Sequence, residues 1–124
     1  MLQRDGVIIA LVDWEIWSLG DPHSDLGWLT LFTDASNFPG FGRSAPGTPT
    51  AEQVVDWYLD AVGTDDGPGV VWFRALACFK LAAVQSHNLR RHREGRYHDP
   101  HQERLVPSTS ALLDRGLRLL SGAE

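Results

Sequence analysis

One cysteine, Cys78, stands in a chain of 124 residues, so no intrachain disulfide can form. It lies in an apolar stretch, where a packed thiol is expected rather than a nucleophile, and reducing, cytoplasmic conditions suit it. Positive charge is also scarce. Eleven Lys and Arg face sixteen Asp and Glu, a net charge of -5. That balance repels phosphate backbones and acidic membranes, so neither nucleic acid nor a membrane is expected as a partner. Long apolar runs are missing too. The run from Val7 to Val12 is too short for a signal-peptide core and meets Asp13 at once. No window approaches the roughly 20 apolar residues of a membrane span. There is no internal repeat and no low-complexity tract. A glycine-rich phosphate loop is lacking, because Gly40-Phe41-Gly42 has neither the following helix start nor the lysine.

What remains is an ordinary folded composition: 43% hydrophobic and 22% charged residues, enough for one compact domain or a piece of one. Residues 1–13 predict a β-hairpin. Val7, Ile8, Ile9 and Val12 are β-branched, and Asp5-Gly6 supplies the backbone freedom of a tight turn. The second strand is apolar nearly throughout, so cover is expected on both its faces. Four helices should follow, over 21–33, 50–63, 69–94 and 107–121. Asp21-Pro22 is a start signal for the first. Thr50 and Gln53 fit a capping box for the second, and Gly63 ends it. The third is apolar nearly all round in its first half, which predicts burial. Residues 34–49 and 96–106 read as loops. The fold class expected is therefore mainly α with an N-terminal hairpin, and hairpins seldom stand alone.

The chemistry is concentrated in Val12-Asp13-Trp14-Glu15, Gly20-Asp21-Pro22 and Asp25-Leu26-Gly27-Trp28. An acid at a strand tip is exposed while its backbone stays fixed, which suits a carboxylate that meets a hard cation such as Mg²⁺. Asp25, on the first turn of the next helix, sits where the helix dipole favours negative charge.

These segments strongly resemble the aminoglycoside phosphotransferase and choline kinase family. In that family a hydrophobic strand ends in Asp-Trp-Glu or a near variant, followed by Gly-Asp-Pro and then Asp-Leu. The later helices, with Phe73, Arg74, Phe79, Lys80 and Leu81, and the stretch from Leu105 to Leu120 resemble it as well. The nearest likeness is to the branch fused in some organisms to acyl-CoA dehydrogenase domains. The resemblance implies that residues 1–124 are part of the C-terminal lobe of a kinase-like fold. It also implies ATP and Mg²⁺ as cofactors and a small-molecule hydroxyl as acceptor. Asp13 matches the Mg²⁺ ligand, Glu15 is a second metal candidate, and Asp25 matches a residue that braces the catalytic loop.

The departure is as informative. The family's His-Gly-Asp base and the metal-binding Asn that follows it do not occur in this chain. Phosphoryl transfer depends on several groups acting together to position and neutralise the phosphates, so no catalytic residue is assigned and no activity is expected of the chain alone. Met1-Leu2 matches the first apolar pair after the family's Asn, which suggests an internal methionine of a longer kinase. Two other readings stand beside the kinase piece: a non-catalytic helical binding module, and a homodimer that buries the hairpin surface, with Ile8, Ile9 and Trp14 partly bare in the single chain. His87, His92, His98 and His101 carry no metal-site expectation, and Arg90 to Arg96 read as a solvated helix end.

Overall fold

The computed structural model describes residues 2–14, 19–39, 41, 45–65 and 67–123. It is mainly α with an N-terminal two-stranded antiparallel hairpin. Strands β1 (Leu2–Arg4) and β2 (Val7–Ala10) pair with Gln3 opposite Ile8 and Arg4 opposite Val7, and the register shifts between Leu2 and Gln3. The turn works through positive backbone angles, φ 49° at Asp5 and 78° at Gly6. Two successive left-handed residues twist the ribbon the way paired strands need.

Among the described residues five α-helices follow: α1 (His23–Thr33), α2 (Ala51–Val62), α3 (Gly67–Arg93), the short α4 (His101–Arg104) and α5 (Val106–Ser121). Both segments read as loops hold helical turns, α4 and a 3-10 turn at Ala35–Asn37. Each is built on a local Asp. Asp34 accepts from the Ser36 N–H at 2.8 Å, and Asp99 accepts from the His101 N–H at 3.0 Å and from the Gln102 side chain at 2.7 Å. Such side-chain turns are encoded in two or three residues and escape a search for periodicity. The capping box of α2 is closed. Gln53 N–H donates to Thr50 Oγ1 at 3.1 Å and Thr50 N–H to Gln53 Oε1 at 2.9 Å. Gly63, at φ 70°, ends the helix by donating to the Leu59 carbonyl.

Helix α3 is the axis of the body, with α1 and α5 packed along it and α2 against α1. Small residues set the approach. Leu31, Ala75, Ala77, Cys78, Ala82, Leu112 and Leu119 form one buried cluster, and Leu26, Val54 and Val70 a second. A Cβ at Gly27 would stand 2.6 Å from the Phe73 carbonyl oxygen, so α1 crosses α3 backbone to backbone there. Gly116 plays a looser version of that role on α5, 3.4 Å from Cys78 Cβ.

Polar ties fasten the bundle's edges. Buried Arg115 of α5 pairs with Asp34 and donates to Asn37 Oδ1 at 3.0 Å, while Asn37 Nδ2 donates to the Leu31 carbonyl at 2.9 Å. Burial by itself would raise the Asp34 carboxyl. The Ser36 hydrogen bonds and the Arg115 guanidinium outweigh it and hold the group below its ordinary value. Arg74 of α3 donates to Glu52 of α2 at 3.0 Å. Glu52 is also lowered, first by the hydrogen bond from its own backbone N–H, then, against burial, by Arg74.

Three expectations need correction. Cover on both faces of β2 is not found: Leu2, Val7, Ile8, Ile9, Leu11, Val12 and Trp14 are each 51–62% exposed. The hairpin strands pack on each other rather than on the helices. Nor is α3 buried all round. Val70 and Cys78 are enclosed, but Trp72, Phe79 and Val84 are half-exposed, because α1 and α5 cover only part of its circumference. Finally, by length and composition alone α3 is apolar enough to cross a membrane, with a window of mean hydropathy 1.3 that is 33% buried. Arg74 and Lys80 break the apolar run without removing its mean, so counting consecutive apolar residues does not find it. In this fold one part of that window's circumference packs against α1 and α5 and the rest is exposed.

Candidate functional site

Beyond Ala10 the chain leaves the ribbon and bends. The Trp14 indole N–H reaches back to the Leu11 carbonyl at 2.8 Å, closing a small turn over Val12 and Asp13. At its apex Asp13 has φ 77°. That region is uncommon for a residue with a side chain, though Asp tolerates it better than most. Asp13 is exposed, three residues past the end of β2 rather than at its last position. Glu15, the second metal candidate, lies outside the described residues.

The second wall is the start of α1. Helical turns begin at His23, with Pro22 in the capping position. Asp21 Oδ1 accepts from the His23 N–H at 2.9 Å, so its carboxylate takes up one of the donors a helix start leaves unpaired. The buried His23 ring packs against Tyr58 and Phe73. Its Nδ1 lies 2.9 Å from the same Asp21 oxygen but out of hydrogen-bond alignment, and neither ring nitrogen has a hydrogen-bond partner among the described residues. Asp25 is exposed one turn on.

Between these walls is an open hollow of about 590 Å³. Asp13 and Trp14 line one side, Asp21, Asp25 and Trp28 another, and Lys80 of α3 a third. The Lys80 ammonium lies 5.8 Å from the centre of the Trp28 ring. The structure thus brings Asp13 and Asp25 to one hollow, twelve residues apart in the chain. It adds two things that reading by segments did not: Lys80, 67 positions beyond Asp13, and the Trp14 and Trp28 indoles. Trp14 is 59% exposed and Trp28 half-buried. Spacing could not announce Lys80. Its being the only lysine in the chain was the available signal.

Among the described residues no three of Asp, Glu, His and Cys are placed to hold one ion. The hollow offers Asp13 as a single strand-tip carboxylate, and the described residues do not form a closed Mg²⁺ seat.

The basic end of α3 is occupied by its own neighbours. Arg93 makes two 2.7 Å bonds to Glu103, Arg96 pairs with Glu94 at 3.2 Å, and Arg91 lies over Tyr97. The Arg93 contact holds the Glu103 carboxyl below its usual range. His92 accepts from the Asp99 N–H at 3.1 Å, a turn-closing bond.

No family model matches the chain, and no solved structure matches it. Curated proteins do. Mouse acyl-CoA dehydrogenase family member 11 is 29% identical over 119 residues, which is 90% of this chain and 15% of the mouse protein. The rat protein of that name is 34% identical over 84 residues, 62% of this chain and 11% of its own length. The human one is 31% identical over 83 residues, again 62% and 11%. The chain therefore spans 15% or less of the length of these relatives.

Proposed function

We propose that this chain is a C-terminal segment of an ATP-dependent phosphotransferase that acts on a small-molecule hydroxyl, and that by itself it turns nothing over. One observation carries the reading. The strand-tip Asp13, held at an unfavourable backbone angle, opens into the same hollow as the helix-start pair Asp21 and Asp25. Strained non-glycine residues persist where the surrounding structure holds them, and they gather at functional sites. The likeness to acyl-CoA dehydrogenase family member 11 points the same way, because it is the expected kinase-like branch that is fused to such a dehydrogenase. In the assembled enzyme ATP and Mg²⁺ would be the cofactors, with Asp13 and Glu15 the candidate metal ligands and Asp25 the brace of the catalytic loop. Neither cofactor has a tight site on this chain alone.

The chemistry requires partners that this sequence does not contain. A base must accept the acceptor's hydroxyl proton, and several cations must neutralise the phosphates at once. The test is phosphate release from Mg²⁺-ATP by the purified chain and by Asp13→Ala, beside a reading of the gene upstream. No release above buffer, with His-Gly-Asp and Asn encoded in the same frame, is the expected result. Mg²⁺-dependent turnover by the chain alone that disappears in Asp13→Ala would overturn the inactivity. An upstream frame without those residues would overturn the kinase assignment.

The bare hairpin favours a second reading, a non-catalytic module that pairs with another copy. Seven large apolar side chains more than half exposed on the ribbon and the turn that follows it form a patch of the sort that finds a cover. Sedimentation distinguishes the two. A dimer dispersed by Ile8→Lys supports pairing, and a monomer at high concentration removes it.

A further inference from the structure

Ten of the eleven basic residues are arginines, and the single lysine, Lys80, lines the hollow that holds Asp13 and Asp25. Most of the arginines described above have a carboxylate or a ring. Lys80 has three carboxylates on the same hollow and forms an ion pair with none of them, nor with any other described residue. Among the described residues it lies over the face of Trp28, where the ring quadrupole attracts a cation but accepts no ordinary hydrogen bond. Trp28 is itself fixed, stacked on Phe32 at 6.3 Å and packed against the core cluster. The ammonium is therefore propped at the wall of the hollow with its three donors unspent on any described residue. A lysine that served only the fold could have paired with the nearby acids. Asp21, one of those acids, already accepts from the α1 backbone.

We propose that Lys80 is the anion-receiving residue of this hollow, orienting an acceptor that carries a phosphate or carboxylate in addition to the hydroxyl to be phosphorylated. The word acceptor rests on the phosphotransferase reading, whereas the anion contact does not. A compact, hydrated ammonium on a flexible stem suits a single charged oxygen group, and it meets phosphate as a point charge rather than as a fork. The arrangement also separates charge. Asp13 and Asp25 lie on the walls made by the strand end and α1, and Lys80 comes from α3. A ligand with one anionic end would be turned so that this end meets α3 and its remainder lies across the indoles toward Asp13. Lys80 is a positioning residue in this account and touches no reacting atom.

Because the chain has one lysine, the experiment is clean. Labelling with ¹³C-lysine gives one ε-methylene signal in the whole protein, and Trp28→Phe assigns the Trp28 indole N–H. Sodium phosphate and sodium acetate are titrated separately, with sodium chloride at matched ionic strength as control and without nucleotide or metal. The expected result is a saturable shift of both signals. Lys80→Met should weaken the Trp28 response about tenfold or more, as loss of one charge-assisted hydrogen bond implies. Lys80→Arg should restore part of it. The Lys80 side chain is exposed, so these variants should keep the parent melting temperature. A response to phosphate alone identifies a phosphorylated acceptor, to acetate alone a carboxylic acid, and to both an anionic group of either kind. A linear shift equalled by chloride, or a Lys80→Met protein that responds like the parent, overturns the proposal. That failure would leave the phosphotransferase reading intact, while an upstream frame without kinase sequence would sink that reading and leave the titration standing.

Discussion

The hairpin and the crossing of α1, α3 and α5 are both written in apolar residues, yet one is bare and the other closed. Ile8 is 60% exposed, and Leu112 is 0% exposed. The difference lies in what faces them. At the helix crossing, Gly27, Ala75, Cys78 and Gly116 remove side-chain bulk just where backbones meet, so large residues can interdigitate around the contact. Among the described residues the hairpin has no such facing surface, because its strands pack chiefly on each other. Apolar composition supplies the tendency to be buried, and a complementary surface decides whether burial occurs.

The largest test of this contrast is a matched pair of truncations. Leu112→Ala should cost about 2–5 kcal/mol in urea unfolding, as large-to-small changes in packed cores do. Ile8→Ala should change stability by no more than about 0.5 kcal/mol. Equal losses would mean that the ribbon is covered in solution. Next comes the crossing itself. Gly27→Ala places a Cβ against a backbone carbonyl that no rotamer can move, and about 1–3 kcal/mol of destabilisation is expected. Gly116→Ala, at ordinary packing distance, should cost less, and a reversed order would break the account of where the helices are tightest.

A third prediction concerns the polar edge of the closed region. Arg115→Met removes the partner of Asp34 and Asn37, with an expected loss of about 1–3 kcal/mol. Because the folded Asp34 pKa lies below its ordinary 3.8, its contribution is fully present above that value. It is lost as pH falls from about 4 down through the folded pKa. The gap between parent and Arg115→Met melting temperatures should therefore be widest near neutrality and narrow in acid. A gap that does not change with pH would remove Asp34 from the network.

The smallest effect belongs to the strand end. At φ 77° glycine is relieved of strain that aspartate bears, so Asp13→Gly should leave the melting temperature unchanged or raise stability by up to about 1 kcal/mol. Clear destabilisation would show that the Asp13 side chain serves the fold, which would weaken the functional reading of the hollow.

Much of the local structure could be read in advance because it is made by groups a few residues apart. The Asp5-Gly6 turn, the Thr50–Gln53 box and the closing Gly63 each depend on bonds or angles within four residues. The acids at 13, 21 and 25 were also legible, because they cluster within thirteen positions around one strand and one helix start. Lys80 was not, since nothing in its neighbours Phe79 and Leu81 says that α3 will lie beside the strand end. The Asp34–Arg115 pair was hidden for that same reason, 81 positions apart.

By itself, then, the sequence determined a hairpin, the four longer helices with the caps of α2, and a set of carboxylates near the chain's first turn. Those outcomes follow from backbone hydrogen bonds and φ preferences that act over one turn. Only the tertiary structure decided that α3 would leave Trp72 and Phe79 half-exposed while enclosing Cys78. It alone set Lys80 over Trp28, on the hollow that Asp13 and Asp25 line. Which face of a helix is covered, and which distant charge arrives beside it, depends on the surface a neighbouring element presents, and that surface exists only once the bundle has closed.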